Sequence, residues 1–142
     1  MTQITFYKFL IFFVPLFLIC CSYSDKNIIE NKKIISSYYE NGNLEYQSEL
    51  INGVLHGKTT YWFENGSIKS VTIYNFGKMH NYHKDFFMNG KIKYIIEYNY
   101  GIKDGFERWY YKNGQTKSEK KYNNNIIVGD VIRWDKNGNI IY

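Results

Sequence analysis

The sequence predicts an all-β fold: an elongated antiparallel β-meander of tandem 24-residue hairpins, set behind a cleaved N-terminal signal helix. Three observations carry this reading. Asn-Gly recurs as Asn41-Gly42, Asn65-Gly66, Asn89-Gly90, Asn113-Gly114 and Asn137-Gly138, every interval being 24 residues. A fixed period of this length marks a repeat architecture, in which each unit is one supersecondary element. Between the pairs, Tyr, Ile, Phe, Thr and Val dominate, side chains that suit a pleated, half-buried surface. Aromatic residues make up 20% of the 142 residues, with 15 tyrosines, and chains that stay disordered are poor in aromatics. The third observation lies at the N-terminus.

Met1 to Lys8 is a short polar head with one positive charge, and Phe9 to Ile19 is an apolar run. As a helix this run covers roughly 16 Å of a ~30 Å hydrocarbon core, so it fits an export signal better than a membrane span. The run ends Leu18-Ile19-Cys20-Cys21-Ser22. This resembles the lipobox of bacterial lipoproteins, with Leu18 three residues ahead of the modified cysteine. The resemblance implies a diacylglyceryl thioether on Cys21, cleavage before it and stable membrane attachment. The alternative is an ordinary secretory signal cut between Cys20 and Ser24, with a secreted or periplasmic product. The expected organisation is a signal peptide over 1–20, a lipidated tether over 21–33 and a repeat domain over 34–142. Ser22 to Lys33 shows neither helical nor strand period, and twelve flexible residues would span about 20 Å. The only cysteines are adjacent, so no disulfide framework is available.

The neighbours of each Asn-Gly keep its register. Three residues before the Asn stand Tyr38, Trp62, Phe86, Tyr110 and Trp134, and one later come Tyr39, Phe63, Phe87, Tyr111 and Asp135. Gly53, Gly77, Gly101 and Asn125 recur, as do Gly57, Asn81, Gly105 and Gly129. These hold only Gly or Asn, residues that tolerate positive φ, and read as turns. Each unit is then two antiparallel strands, such as 91–98 and 106–111, joined by a glycine-rich loop. Alternation places Ile92, Tyr94, Ile96 and Tyr98 on one face, against Lys91, Lys93, Ile95 and Glu97. A three-residue loop with Gly90 left-handed pairs Phe86 with Ile92, whereas a two-residue loop would pair Phe87 with Ile92. The three-residue form is preferred, because it puts the aromatic column on the Leu44, Ile68 and Ile92 face.

The G-x-x-x-G spacing, the aromatic pair before Asn-Gly and the two-strand unit resemble MORN repeats. The likeness is to the longer bacterial variant found in proteins called YwqK-like antitoxins, and it covers about 34 to 142. Asn81, Asn125, Asp135 and Thr116 depart from the pattern. MORN proteins contact proteins or phospholipids, so the resemblance implies a binding scaffold and, through the antitoxin label, toxin neutralisation as the alternative.

Catalytic chemistry is weakly represented. His56 and His80 share one repeat position, and His80 with His83 and Asp85 is the best metal candidate. Zinc asks for a fixed cage of further ligands, so these read as polar loop residues. No nucleophile elbow, P-loop or metalloprotease helix is present. Neither an enzyme nor a cofactor nor a metal is expected. The net charge is +5, and loss of Lys8 leaves 17 basic against 13 acidic side chains. No basic run exceeds a Lys-Lys pair, which argues against nucleic acid as a partner. The expected binding residues are Tyr39, Phe63, Phe87 and Tyr111, on the face opposite the aromatic-aliphatic core and beside a column of Glu45, Lys69, Lys93 and Lys117. The expected partner is an unknown protein or envelope component, with the membrane reached through the lipid anchor. Oligomeric state is left open.

Overall fold

Each 24-residue period resolves into two strands and two tight turns of different kind. The computed structural model describes residues 30–141, so the expected signal, Cys21 and nearly all of the tether lie outside the described residues. Nine strands follow in chain order: β1 (Lys32–Tyr38), β2 (Leu44–Ile51), β3 (Val54–Trp62), β4 (Ile68–Asn75), β5 (Lys78–Phe86), β6 (Ile92–Asn99), β7 (Ile102–Tyr110), β8 (Thr116–Asn123) and β9 (Ile126–Arg133). They form one sheet in sequence order, every neighbour antiparallel. Strand β1 begins two residues ahead of the boundary expected at 34.

At one end of the strands lie the Asn-Gly turns. Phe87 N–H donates to the Lys91 carbonyl (2.8 Å) and Gly90 N–H to the Phe87 carbonyl (2.9 Å), with Gly90 at φ 80. This is the three-residue loop with a left-handed glycine, and Phe86 pairs with Ile92. At the other end are two-residue turns at Asn52-Gly53, Phe76-Gly77, Tyr100-Gly101 and Asn124-Asn125, all eight residues at positive φ. Positive φ at both central positions matches the right-handed strand twist. Their ring-bearing members, Phe76 (φ 43) and Tyr100 (φ 48), are conformationally costly there.

Two sequence readings are corrected. Gly57, Asn81, Gly105 and Gly129 are not turns. They sit inside β3, β5, β7 and β9 at bulges, where the pairing register shifts. The second strand of the third unit therefore starts at Ile102 and not at 106. The other correction concerns the faces. Phe86 pairs with Ile92 but Asp85 with Tyr94, so Lys93 is an inserted bulge residue. Ile92 thus shares a face with Ile95 and Glu97, and Tyr94, Ile96 and Tyr98 lie on the other. Glu45, Lys69 and Lys117 occupy the same inserted position in their units. A period-two reading carries no signal for such an insertion, which inverts every side chain beyond it.

The deepest burial is consequently not along the Trp62, Phe86 and Tyr110 column. A row of opposed residues runs across the other face from Ser48 through Thr59, Thr72, His83, Ile96 and Glu107 to Lys120. Ser48, Thr59, Thr72, Ile96 and Glu107 in it are buried, whereas Tyr38 is 63% exposed and Ile68 41%. A one-layer sheet has no second layer to cover its small side chains, so flanking rings do so. Tyr46 lies against Tyr61 (4.8 Å between centroids) and Tyr94 stacks on Trp109 (4.6 Å) beside the row.

Candidate binding surface

The Asn-Gly turns form a stitched edge. In each of the first four, the Asn Oδ1 accepts the backbone N–H two residues on: Asn43, Ser67, Lys91 and Gln115. The Nδ2 of three of them reaches the next unit, from Asn41 to the Glu64 carbonyl (3.0 Å), Asn89 to Lys112 (3.2 Å) and Asn113 to Lys136 (3.1 Å). Gly42, Gly66, Gly90, Gly114 and Gly138 all have positive φ. In the last turn Asp135 Oδ1 accepts the N–H of Asn137 and of Asn139.

Tyr39, Phe63, Phe87 and Tyr111 enter these turns half-buried. Alternation puts them on the side of Tyr61, Asp85 and Trp109, opposite Phe86 as expected, but on the face that also carries the buried row. Two are tied to the next unit: Tyr39 donates to the Trp62 carbonyl (2.7 Å) and Tyr111 to Trp134 (2.9 Å). The inserted lysines lean over this column, Lys69 above Phe63 (6.0 Å) and Lys117 above Tyr111 (5.8 Å). At the C-terminal half the column opens into a cleft of about 500 Å³, lined by Phe87 and Tyr111 and by Lys93, Lys112, Lys117 and Lys136. Cationic ammonium groups around aromatic faces suit an anionic group carried on an apolar or planar body. A second cleft of about 500 Å³ lies between Asn41, Phe63, Glu64, Asn65 and Met88.

The histidines do other work. His56 packs on Phe76 and His80 on Tyr100, each at 4.4 Å between centroids. The backbone N–H of Phe76 and of Tyr100 points at the Nδ1 of its histidine (3.4 Å). These two imidazoles hold the aromatic left-handed turns of the following unit. His83 lies in the buried row, Nδ1 on the Thr72 hydroxyl (2.7 Å) and Nε2 on the Tyr94 hydroxyl (2.8 Å) and Asp85 Oδ1 (3.3 Å). Burial lowers the His83 pKa although Asp85 raises it, and burial with the Asp85 carboxylate pushes Tyr94 up to about 12. His80 belongs to the turn and His83 to the row. Among the described residues no group of three or more His, Cys, Asp or Glu is placed to hold a metal ion.

Glu107 fills the repeat position of Thr59 and His83. Its carboxylate accepts from Trp109 Nε1 (3.0 Å), Lys103 Nζ (3.0 Å) and Lys120 Nζ (3.1 Å). Burial raises its pKa, but these three donors outweigh burial and hold it at about 2. Sequence reasoning singled out neither Glu107 nor the row, because its members change identity from unit to unit: Thr59, His83 and Glu107 share only their place in the period.

The profile of the MORN repeat variant matches residues 31–52, 55–75 and 103–124. Over these three segments the chain is similar to MORN repeats. No curated protein and no solved structure matches it. The three matched segments bracket a stretch, 76–102, that keeps the geometry of its neighbouring units, with the same bulge and the same Asn-Gly turn. Asn81 stands in that stretch where other units have Gly, as do the aromatic turns Phe76-Gly77 and Tyr100-Gly101, where the first and last units have Asn.

Proposed function

We propose that this protein is an envelope-attached binding scaffold that acts by contact and not by catalysis. MORN repeats are generally associated with membrane-binding and protein-binding roles. The observation that carries the reading to residues is the cleft between Phe87 and Tyr111 with its four lysines. A repeat sheet offers regularly spaced side chains along a line, and here Phe63, Phe87 and Tyr111 recur with Lys69, Lys93 and Lys117. The contact-only reading is supported by the place of the Thr72-His83-Asp85 grouping. Thr72 is 4% exposed, and its hydroxyl is engaged by His83 Nδ1 at 2.7 Å.

The test is a crosslinked pull-down from the native envelope with the Phe63→Ser/Phe87→Ser/Tyr111→Ser triple variant beside the wild type. A partner recovered by the wild type and lost by a variant that still melts near it supports the reading. A partner recovered equally by both removes this surface from it. Attachment through Cys21 has its own test. Cys21→Ala should end fatty-acid labelling, whereas Cys20→Ala should leave it intact.

Toxin neutralisation is the second reading and rests on the resemblance to YwqK-like antitoxins. Rescue of growth by this chain against a toxin encoded beside it would favour it.

A further inference from the structure

The tip of each Asn-Gly turn carries one exposed side chain just before the Asn. In chain order these are Glu40, Glu64, Met88, Lys112 and Lys136, all exposed, with Met88 at 64%. The stitched edge therefore runs from negative through apolar to positive. None of the four charged tips makes an ion pair within the chain among the described residues. Successive tips are two strands apart, so the five span about 40 Å in steps of roughly 10 Å.

All five tips find complementary partners under one operation only. We propose that two copies associate edge to edge about a two-fold axis through Met88, Glu64 of each facing Lys112 of the other and Glu40 facing Lys136. Met88 then meets its own counterpart on the axis, where two apolar tips lose water together. A parallel alignment would set like charges against each other at both ends. Of the other lysines near the edge, Lys91 is turned aside onto the Asn113 carbonyl (2.6 Å). Lys69 and Lys117 lie over Phe63 and Tyr111, off the tips. The axis stands normal to the sheets, so both copies present their aromatic-lysine faces to the same side. Lys112 and Lys136 also line the cleft between Phe87 and Tyr111, but the inference does not rest on what that cleft binds.

The contact is narrow, below the area that stable interfaces bury, and its exposed ion pairs are individually weak. The dimer is accordingly weak and sensitive to salt. Sheet twist makes the edges diverge away from the axis, so the Glu64–Lys112 pairs are the closer ones.

A zero-length carbodiimide, which joins a carboxylate only to an amine already touching it, tests this on the full-length chain at low salt. Equal amounts of isotopically light and heavy protein are mixed before crosslinking. The expected products join Glu64 to Lys112, and less abundantly Glu40 to Lys136, with one light and one heavy peptide in each. Within one chain these residues are about 20 and 40 Å apart and out of reach. Glu64→Lys and Lys112→Glu remove the 64–112 crosslink by chemistry alone, and should each lower the mixed-isotope Glu40–Lys136 yield by about tenfold, the factor for ~1.4 kcal/mol. The double charge swap should restore it. Absence of mixed-isotope products overturns the proposal, as does a register other than these two pairs or a double swap no better than either single change.

Discussion

Asn89 Nδ2 donates to the Lys112 carbonyl across 3.2 Å, while its Oδ1 accepts the Lys91 N–H of its own turn. One amide thus closes a turn and ties it to the turn 23 residues on. Aspartate could do the first task but not the second, which explains why the position favours an amide beyond its tolerance of tight turns. Asn89→Asp should therefore cost about 1 to 2 kcal/mol. Asn65 has no such Nδ2 bond among the described residues, and Asn65→Asp should stay within ~0.5 kcal/mol. Thermal melting by circular dichroism would compare them. Equal midpoints would show that the inter-turn bond contributes nothing.

Glycine has different reasons at Gly90 and Gly105. A Cβ on Gly90 would meet nothing within 4 Å, so only its φ of 80 opposes a side chain. A Cβ on Gly105 would stand 2.9 Å from Glu97 Cβ and overlap the Glu97 carboxylate, which accepts the Phe106 N–H at 2.9 Å. Gly90→Ala should cost about 1 kcal/mol, and Gly105→Ala roughly 2 to 4 kcal/mol. Truncation of Glu97 in the Gly105→Ala background should recover part of the loss. A Gly105→Ala midpoint at or above that of Gly90→Ala would remove the steric account.

These two glycines also show how far the sequence was legible. The period, the antiparallel meander and the turn at Asn89-Gly90 could be read because Asn-Gly and its aromatic neighbours repeat at identical offsets. Gly105 recurs too, with Asn81 in one unit, yet glycine alone does not distinguish a turn from a bulge, and its meaning depends on Glu97 in the opposite strand. The face assignment failed at Lys93, whose insertion is a property of pairing and not of composition. On the candidate surface, the column of Phe63, Phe87 and Tyr111 was readable by position. Its ties through the Tyr39 and Tyr111 hydroxyls, and the lysines above it, required the register. The buried row was invisible, since Ser48, Thr59, Thr72, His83 and Glu107 look like surface residues until their partners are known.

His80 and Tyr100 should be energetically coupled. Tyr100 at φ 48 carries a left-handed penalty of about 1 to 2 kcal/mol. The ring contact with His80 at 4.4 Å offsets part of it, by about 0.5 to 1.5 kcal/mol. His80→Ala alone should lower stability by about 1 kcal/mol. Tyr100→Asn should be nearly neutral, because the relieved backbone compensates for the lost ring. In the Tyr100→Asn background, His80→Ala should then cost almost nothing. A double-mutant cycle on urea midpoints reads this, and additive effects would show that the imidazole does not support the turn.

Acid should lower the stability of the sheet in two phases, through two members of one row. His83 has a pKa lowered by burial, so the unfolded chain takes up its proton first and stability begins to fall as pH drops below the ordinary value of 6.5. Glu107 is held at about 2 against an ordinary 4.5. Its contribution is complete above 4.5 and is lost as pH falls from there through about 2. Melting midpoints measured from pH 8 down to pH 2 should decline gently at first and more steeply below 4.5. Glu107→Gln should cost about 2 to 3 kcal/mol at pH 7, since Lys103 and Lys120 lose their shared counter-charge, and the steep acid limb should largely vanish. His83→Gln should remove the shallow limb and leave the steep one. If Glu107→Gln retains the full decline below pH 4.5, other carboxylates carry the acid sensitivity and the Glu107 cluster is not its source.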